Sequence, residues 1–267
     1  RVAATDGNPG AYAAGQAHAF HPVDITDIGA TLRIARQEGV RAVVALNDYG
    51  VPTAAQVSEN LGLRGIPPQA ARAATDKALM RKLWAEAGVG QPRSALVEPG
   101  QGLENALRTV GAGPYIVKPA ESRGGASRGV LRVDAPRELE RAVDYARSFY
   151  ADKRVLIEEC VIGTEHSLEL LGHGGEAMVL CMGDKRKTPN PHRVDTDVIY
   201  PSALPLEARR EAERTAVSAA LALGLTTFAA HVELSMTAEG PRLLELGARF
   251  GGGHTPSHIM PQVAGRK

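Results

Sequence analysis

Apolar residues recur along this chain with two periods, and the switches between them predict its elements. Val2-Ala3-Ala4 reads as a strand running into Asp6-Gly7-Asn8-Pro9-Gly10. A helix is expected from Ile28 to Gln37, ending at Gly39, and Ala42-Val43-Val44-Ala45-Leu46 reads as a continuously apolar strand before Asn47-Asp48. A further helix, Pro52 to Asn60, ends near Gly62, and Gly65-Ile66-Pro67-Pro68 has the composition of a linker. Strand alternating with helix in this opening stretch predicts a parallel α/β lobe.

Beyond it the pattern predicts a helix with Thr75 as cap and Asp76 in its first turn, carrying Leu79, Leu83 and Trp84 to Gly88. Lys77 lies in that first turn, where a cation opposes the helix dipole; it is either tolerated on the surface or placed to meet an anion. A second helix is expected near Leu103 to Thr109. Tyr115-Ile116-Val117-Lys118 then forms a short apolar strand stopped by Pro119, so Lys118 ends a buried strand. Glu121 to Gly129 is a glycine-rich loop and Val130 to Val133 resumes extended structure. Strand, glycine loop, strand fits either a plain hairpin or a cradle of N–H and hydroxyl groups over phosphates, and with no GK[ST] it is not a P-loop.

A helix from Pro136 to Tyr150 leads to the strand Arg154 to Glu159 and a short linker through Glu165. Strands Ser167 to Leu171 and Ala177 to Met182 flank the turn His173-Gly174-Gly175. Gly172 to Ala177 nominally matches a dinucleotide fingerprint, but a strand follows where a helix is needed, so it reads as a hairpin. Gly183 to Lys187 and His192 to Asp195 are expected to form a polar loop beside the site. Leu206 to Leu223 is helical, with Ala212, Ala216, Ala220 and Leu223 on one face.

Phe228 to His254 carries the strongest chemical signal. His231 to Met236 and Leu243 to Arg249 both alternate, with Thr237-Ala238-Glu239-Gly240-Pro241 as the turn between them. A loop centred on Glu239 sets Glu233 opposite Glu245 on one face. Like charges that close, with Cβ atoms roughly 4.5–5.5 Å apart, destabilise a sheet unless a cation lies between them. The pair is therefore either solvent-facing or a site for Mg²⁺, which takes one or two carboxylates together with water and phosphate oxygens. Gly251-Gly252-Gly253-His254 then meets Thr255-Pro256, read as a cap before a proline at the first helical position. The glycines are either a flexible turn or, with Arg249, a set of donors converging on an anion.

Composition narrows the classes. Lys+Arg 31 against Asp+Glu 30 leaves a net charge of +1, which argues against nucleic acid or an anionic membrane as partner. The 43% of hydrophobic residues suits a chain that buries a core. Cys160 and Cys181 are too few for a disulfide framework, which suits a reducing, cytoplasmic compartment, and no apolar run reaches the roughly 20 residues of a spanning helix.

Four segments in order resemble the ATP-grasp superfamily: DKALMRKLWAEAGV from Asp76, YIVKPAESRGGASRGV from Tyr115, VLIEECVIGTEHSLEL from Val155 and HVELSMTAEGPRLLELGARFGGGH from His231. The fold this implies is α/β (α+β): an ATP-grasp module behind a Rossmann-like parallel lobe, with residues 1–72 as that lobe, 73–161 as a small lobe with a glycine-rich lid and 162–267 as the lobe of the metal and acceptor. The resemblance implies that Lys77 and Lys118 contact ATP phosphates, with Ser122, Gly124, Gly125 and Ser127 in the lid over them. It implies that Glu158 accepts from the adenine amino group, that the backbone at Glu159 and Val161 reads the adenine edge and that Glu165 binds the ribose. Glu233 and Glu245 would hold Mg²⁺, or Mn²⁺ in its place. Arg249 would stabilise the transferring phosphate, with Lys118 beside it in catalysis, and Gly252, Gly253 and His254 would face the acceptor.

Two departures stand out. Many relatives have Asn where this chain has Gly247, so a side-chain oxygen ligand is missing. Relatives also carry an earlier strand before Val2 and tens of residues after Lys267, which implies truncation at both ends. The activity implied is ADP-forming ligation of a carboxylate to an amine, with amino acids as substrates, through an acyl phosphate. The alternatives are a carboxylase or kinase on the same fold, or an ATP-binding module without turnover. A homodimer is compatible with such a chain, although its apolar pattern does not decide the assembly.

Overall fold

The computed structural model describes residues 1–121 and 127–263. The chain opens with β1 (Ala3–Thr5) paired in parallel with β2 (Ala19–His21). α1 (Ile28–Gln37) follows, its first turn capped by the Asp27 carboxylate, which accepts from the Ala30 N–H. α2 (Val51–Asn60) buries Val51, Ala55 and Val57. The apolar run Ala42 to Leu46 forms no strand: no ladder partner lies beside it among the described residues, and Val44 and Leu46 are exposed. An apolar run without a neighbour to pair with has no sheet to join.

The Pro67-Pro68 pair begins a helix where a linker was expected. Proline suits a first helical turn, whose N–H groups have no partner anyway, and α3 (Pro68–Thr75) buries Ala70, Ala71, Ala73 and Ala74. Thr75 is consequently the end of α3 and not the cap of the next helix; its hydroxyl donates back to the Ala71 carbonyl. Asp76 caps α4 (Lys77–Glu86), accepting from the N–H groups of Ala78 and Leu79.

The middle of the chain builds a four-stranded antiparallel sheet. It comprises β3 (Ser94–Val97), α5 (Glu104–Val110), β4 (Tyr115–Pro119), β5 (Leu131–Val133), α6 (Leu139–Arg147) and β6 (Val155–Glu159), with strand order β3-β6-β4-β5. Tyr115, Val117, Val155 and Ile157 point into a core with Val110, Leu139 and Val143. The two-residue period of a strand therefore sends Ile116, Lys118 and Glu158 to the opposite face.

The second sheet is larger. β7 (Thr164–His173), β8 (Glu176–Lys187), β9 (Asp195–Ile199), α7 (Leu206–Ala222), β10 (Phe228–Thr237) and β11 (Gly240–Gly247) give the antiparallel order β11-β10-β7-β8-β9. α7 lies on one face through Ala212, Ala216, Ala219 and Ala220, and that core also takes Trp84, Leu168, Leu170, Val232, Leu234 and Leu246. A π-helical turn, Thr255–Ile259, and α8 (Met260–Val263) follow.

The polar stretch from Gly183 to Asp195, expected to be a loop, is strand at both ends and loop only over 188–194. Gly183 to Lys187 complete β8 and Asp195 begins β9, every residue of which is exposed. No apolar alternation announces β9; the ladder to β8 and the pairs Lys185–Asp195 (2.8 Å) and Lys187–Asp195 (2.9 Å) hold it. The β10–β11 turn also differs. Thr237 pairs with Gly240, so the loop is Ala238-Glu239 and the register beside it is one residue short of that for a turn centred on Glu239. A bulge at Leu244 then restores the register, and Glu233 does face Glu245.

Candidate active site

The inner faces of the two sheets enclose a cleft of about 930 Å³, closed at one side by residues of the first lobe. Alternation places its polar groups. On β10, Val232 and Leu234 enter the core while His231, Glu233 and Ser235 line the cleft. On β4 and β6, Lys118 and Glu158 line it from above.

Cations meet the opposed carboxylates. Lys77 Nζ lies 2.9 Å from Glu245 Oε1, and Lys185 Nζ lies 2.7 Å from Glu233 Oε1. Burial alone would raise both carboxyls. Lys185 and His231 hold Glu233 well below the ordinary range, and Lys77 with Lys118 lowers Glu245. Lys118, lowered by its own burial, pairs with Glu158 at 2.8 Å. Despite burial, Glu158 is held at about 2 by Arg81 and Lys118.

Arg81 and Lys118 both reach across to the second sheet, Arg81 with more contacts. Arg81 grips both oxygens of Glu158 (Nε 2.7 Å, Nη2 3.1 Å) and donates to the carbonyls of Leu243 and Leu244 (both 2.8 Å). The bulge at Leu244 breaks the β10–β11 ladder where Arg81 arrives from the other lobe. Three of the roughly four acceptor positions of Glu158 are thus taken within the chain, leaving one.

A second chain of contacts runs below. The Gly251 N–H donates to Glu169 (2.9 Å), the other oxygen of Glu169 meets His231 Nδ1 (2.6 Å), and His231 Nε2 reaches Glu233 (3.4 Å). Burial would lower His231, but Glu169 and Glu233 raise it to about 9, so it is an imidazolium donating to both. Arg249 donates to Asp48 (2.6 Å) and to the Phe250 carbonyl (3.0 Å).

The remaining expected residues divide. Val161, Glu165, Ser127, Gly252 and Gly253 line the cleft. Glu165 is paired with Lys187 at 3.1 Å and with Arg193. Glu159 lines it too, but its side chain meets Arg93 and its N–H donates to the Arg93 carbonyl, so any backbone reading of an adenine edge at Glu159 falls to its carbonyl. His254 does not line the cleft; it is exposed, with φ of 61°, and packs edge-on against His258. It occupies the cap position expected of Thr255, whose hydroxyl donates to the Gly252 carbonyl. The glycine turn therefore does not converge as a whole on Arg249, since the Gly251 N–H is directed to Glu169. Ser122, Gly124 and Gly125 lie outside the described residues.

The family profile described as ATP-grasp domain matches residues 112–257. This chain belongs to the ATP-grasp family. It is 31% identical over 244 residues to alanine–anticapsin ligase of Bacillus subtilis, covering 83% of this chain and 51% of that protein. Against D-alanine–D-alanine ligase of Aromatoleum aromaticum it is 30% identical over 258 residues, 93% of this chain and 79% of the other. The crystal structure of an L-amino acid ligase from Bacillus licheniformis superposes with a TM-score of 0.76 at 26% identity, covering 91% of this chain and 59% of that one. The chain spans about half the length of the first curated relatives it matches.

The donor set of this ATP-grasp chain fits a divalent cation. Two ionised carboxylates face each other across the hairpin, and no three His, Cys, Asp or Glu side chains cluster to hold an ion among the described residues. Two carboxylates would supply two protein oxygens and leave the others to phosphate and water, a donor set that Mg²⁺ accepts. Sequence reasoning missed Arg81, Asp48, Glu169 and His231. His231 carries a signal, since strand alternation sets it on the face of Glu233; the partners of Arg81 and Asp48 lie far off in sequence.

Proposed function

We propose that this chain is the nucleotide-binding and catalytic part of an ADP-forming carboxylate–amine ligase acting on amino acids in the cytoplasm. One observation carries the reading: the opposed, ionised Glu233 and Glu245 share a cleft with Lys77, Lys118 and Arg249, in a chain similar to amino-acid ligases. In this reading residues 73–161 form the nucleotide lobe and 162–267 the metal and acceptor lobe. ATP lies between the sheets, with Glu165 at the ribose and Lys77 and Lys118 at the phosphates. Mg²⁺ held by Glu233 and Glu245 supplies positive charge to the phosphates.

The substrate carboxylate oxygen attacks the γ-phosphorus and the bond to ADP breaks. The amine nitrogen then attacks the acyl carbon, loses a proton, and phosphate leaves with the oxygen it received. Lys118 and Arg249 stabilise charge on the phosphoryl group in passage, and both are preorganised by their partners Glu158 and Asp48. Arg81 and Glu158 position Lys118 and do not react. Gly252 and Gly253 line the cleft, and in this reading they border the acceptor.

The test is ADP release from MgATP with a pool of amino acids and then with each left out. Amino-acid-dependent ADP without AMP is expected. ADP release indifferent to every amino acid, or a phosphorylated product without amine, would overturn the ligase reading in favour of a kinase or carboxylase.

A further inference from the structure

Gly247 ends β11 beside the carboxylate pair, at a place where nothing in its backbone asks for glycine, since its φ lies outside the left-handed region. A side chain there would displace the groups that now fill the space. A Cβ built there would lie 2.9 Å from Asp48 Oδ1 and 3.2 Å from the guanidinium carbon of Arg249. Asp48 comes from the first lobe, on the short turn before α2 that Asn47 caps by accepting from the Gly50 N–H. It is buried, and its other oxygen takes the Arg249 Nη2 at 2.6 Å.

We infer that Asp48 is a positioning residue for Arg249, and that position 247 is glycine so that the first lobe can deliver this carboxylate into the site. A guanidinium with one N–H fixed on a carboxylate and another on a carbonyl keeps its remaining N–H donors aimed in one direction. Two of its five N–H groups are engaged this way among the described residues, and Arg249 lines the cleft. The Asp48 contact spans 201 residues of sequence, so it also reports that the first lobe is docked.

The inference rests on the ligase reading for its role in turnover, and its test carries one readout independent of that reading. Asp48→Ala, Arg249→Ala and the double variant are made in the full chain, with Gly247→Ala as a second route to the same contact. Gly247→Ala needs the Asp48 carboxylate to shift and the Arg249 guanidinium to give by a few tenths of an ångström, both of them side-chain ends, so the fold is expected to survive it. Asp48→Ala should lower kcat about 10²-fold, with KM for ATP changed less than about threefold, because a misplaced group costs rate rather than binding. In the Arg249→Ala background the same change should add nothing.

The independent readout is the ³¹P spectrum of a bound non-hydrolysable ATP analogue with Mg²⁺. The γ resonance should move in Asp48→Ala, Gly247→Ala and Arg249→Ala alike, no further in the double variant, with α and β unmoved. Losses that add in the double variant, or a γ resonance indifferent to Asp48, would overturn the inference. A wild-type chain without amino-acid-dependent ADP would instead sink the ligase reading and leave the ³¹P comparison to decide this one.

Discussion

Each anionic group at the floor of the cleft is held by a named cation, and the consequences are measurable one side chain at a time. Glu245 sits 2.9 Å from Lys77 and opposite Glu233. Glu245→Gln keeps the shape and removes the charge, so Mg-dependent ADP formation should fall at least about 10²-fold with circular dichroism unchanged. Retained activity would remove Glu245 from the metal site. Glu158 gives a pH prediction. Its folded pKa, about 2, lies below the ordinary 4.5, so its stabilisation is complete above pH 4.5 and lost as pH falls toward 2, in all about 3 kcal/mol. In Arg81→Met only Lys118 remains to hold Glu158, so the acid limb in urea unfolding should move up in pH and stability at pH 7 should fall by about 3 kcal/mol. An unchanged acid limb would contradict the clasp. At this scale Glu233 and Glu245 were legible because strand alternation and a turn constrain who faces whom. Arg81 and Asp48 were not, because their partners lie 77 and 201 residues away and no local period encodes them.

Among the elements, the β10–β11 hairpin shows how two departures cancel. The turn is one position earlier than the sequence pattern suggests, and the bulge at Leu244 adds the position back. Deleting Leu244 should therefore leave Glu233 opposite Glu245 in a regular ladder while taking a carbonyl from Arg81. The variant should fold, bind MgATP and lose about 2 kcal/mol in urea unfolding, the contribution of a hydrogen bond to a buried charge. Loss of MgATP binding would show that the bulge also places the carboxylates. Helices α1, α2, α5 and α7 were legible from their composition and period, the first two also from the glycines that end them. α3 was hidden by its prolines, which mark a helix start as readily as a linker. β9 was hidden because its residues are all exposed, and Ala42 to Leu46 misled because an apolar run reports burial or pairing only where a partner exists.

Across the whole molecule, two antiparallel sheets face each other over one cleft, and Arg81 and Asp48 carry contacts between parts distant in sequence. The order of lysines, glycine loop, strand-end glutamates and carboxylate pair was legible as an ATP-grasp arrangement, and the family profile over residues 112–257 agrees. Which carboxylate and amine are joined was not, since one fold serves many acceptors and their selection rests on side chains with no fixed spacing. In the proposed reaction a substrate carboxylate, and not water, takes the γ-phosphoryl group. This is tested by supplying the amino-acid substrates with ¹⁸O in their carboxylates and analysing the phosphate released. Transfer of one ¹⁸O into inorganic phosphate for each amide formed is the predicted result. Unlabelled phosphate accompanying amide formation would contradict the acyl-phosphate route and, with it, the account of the site.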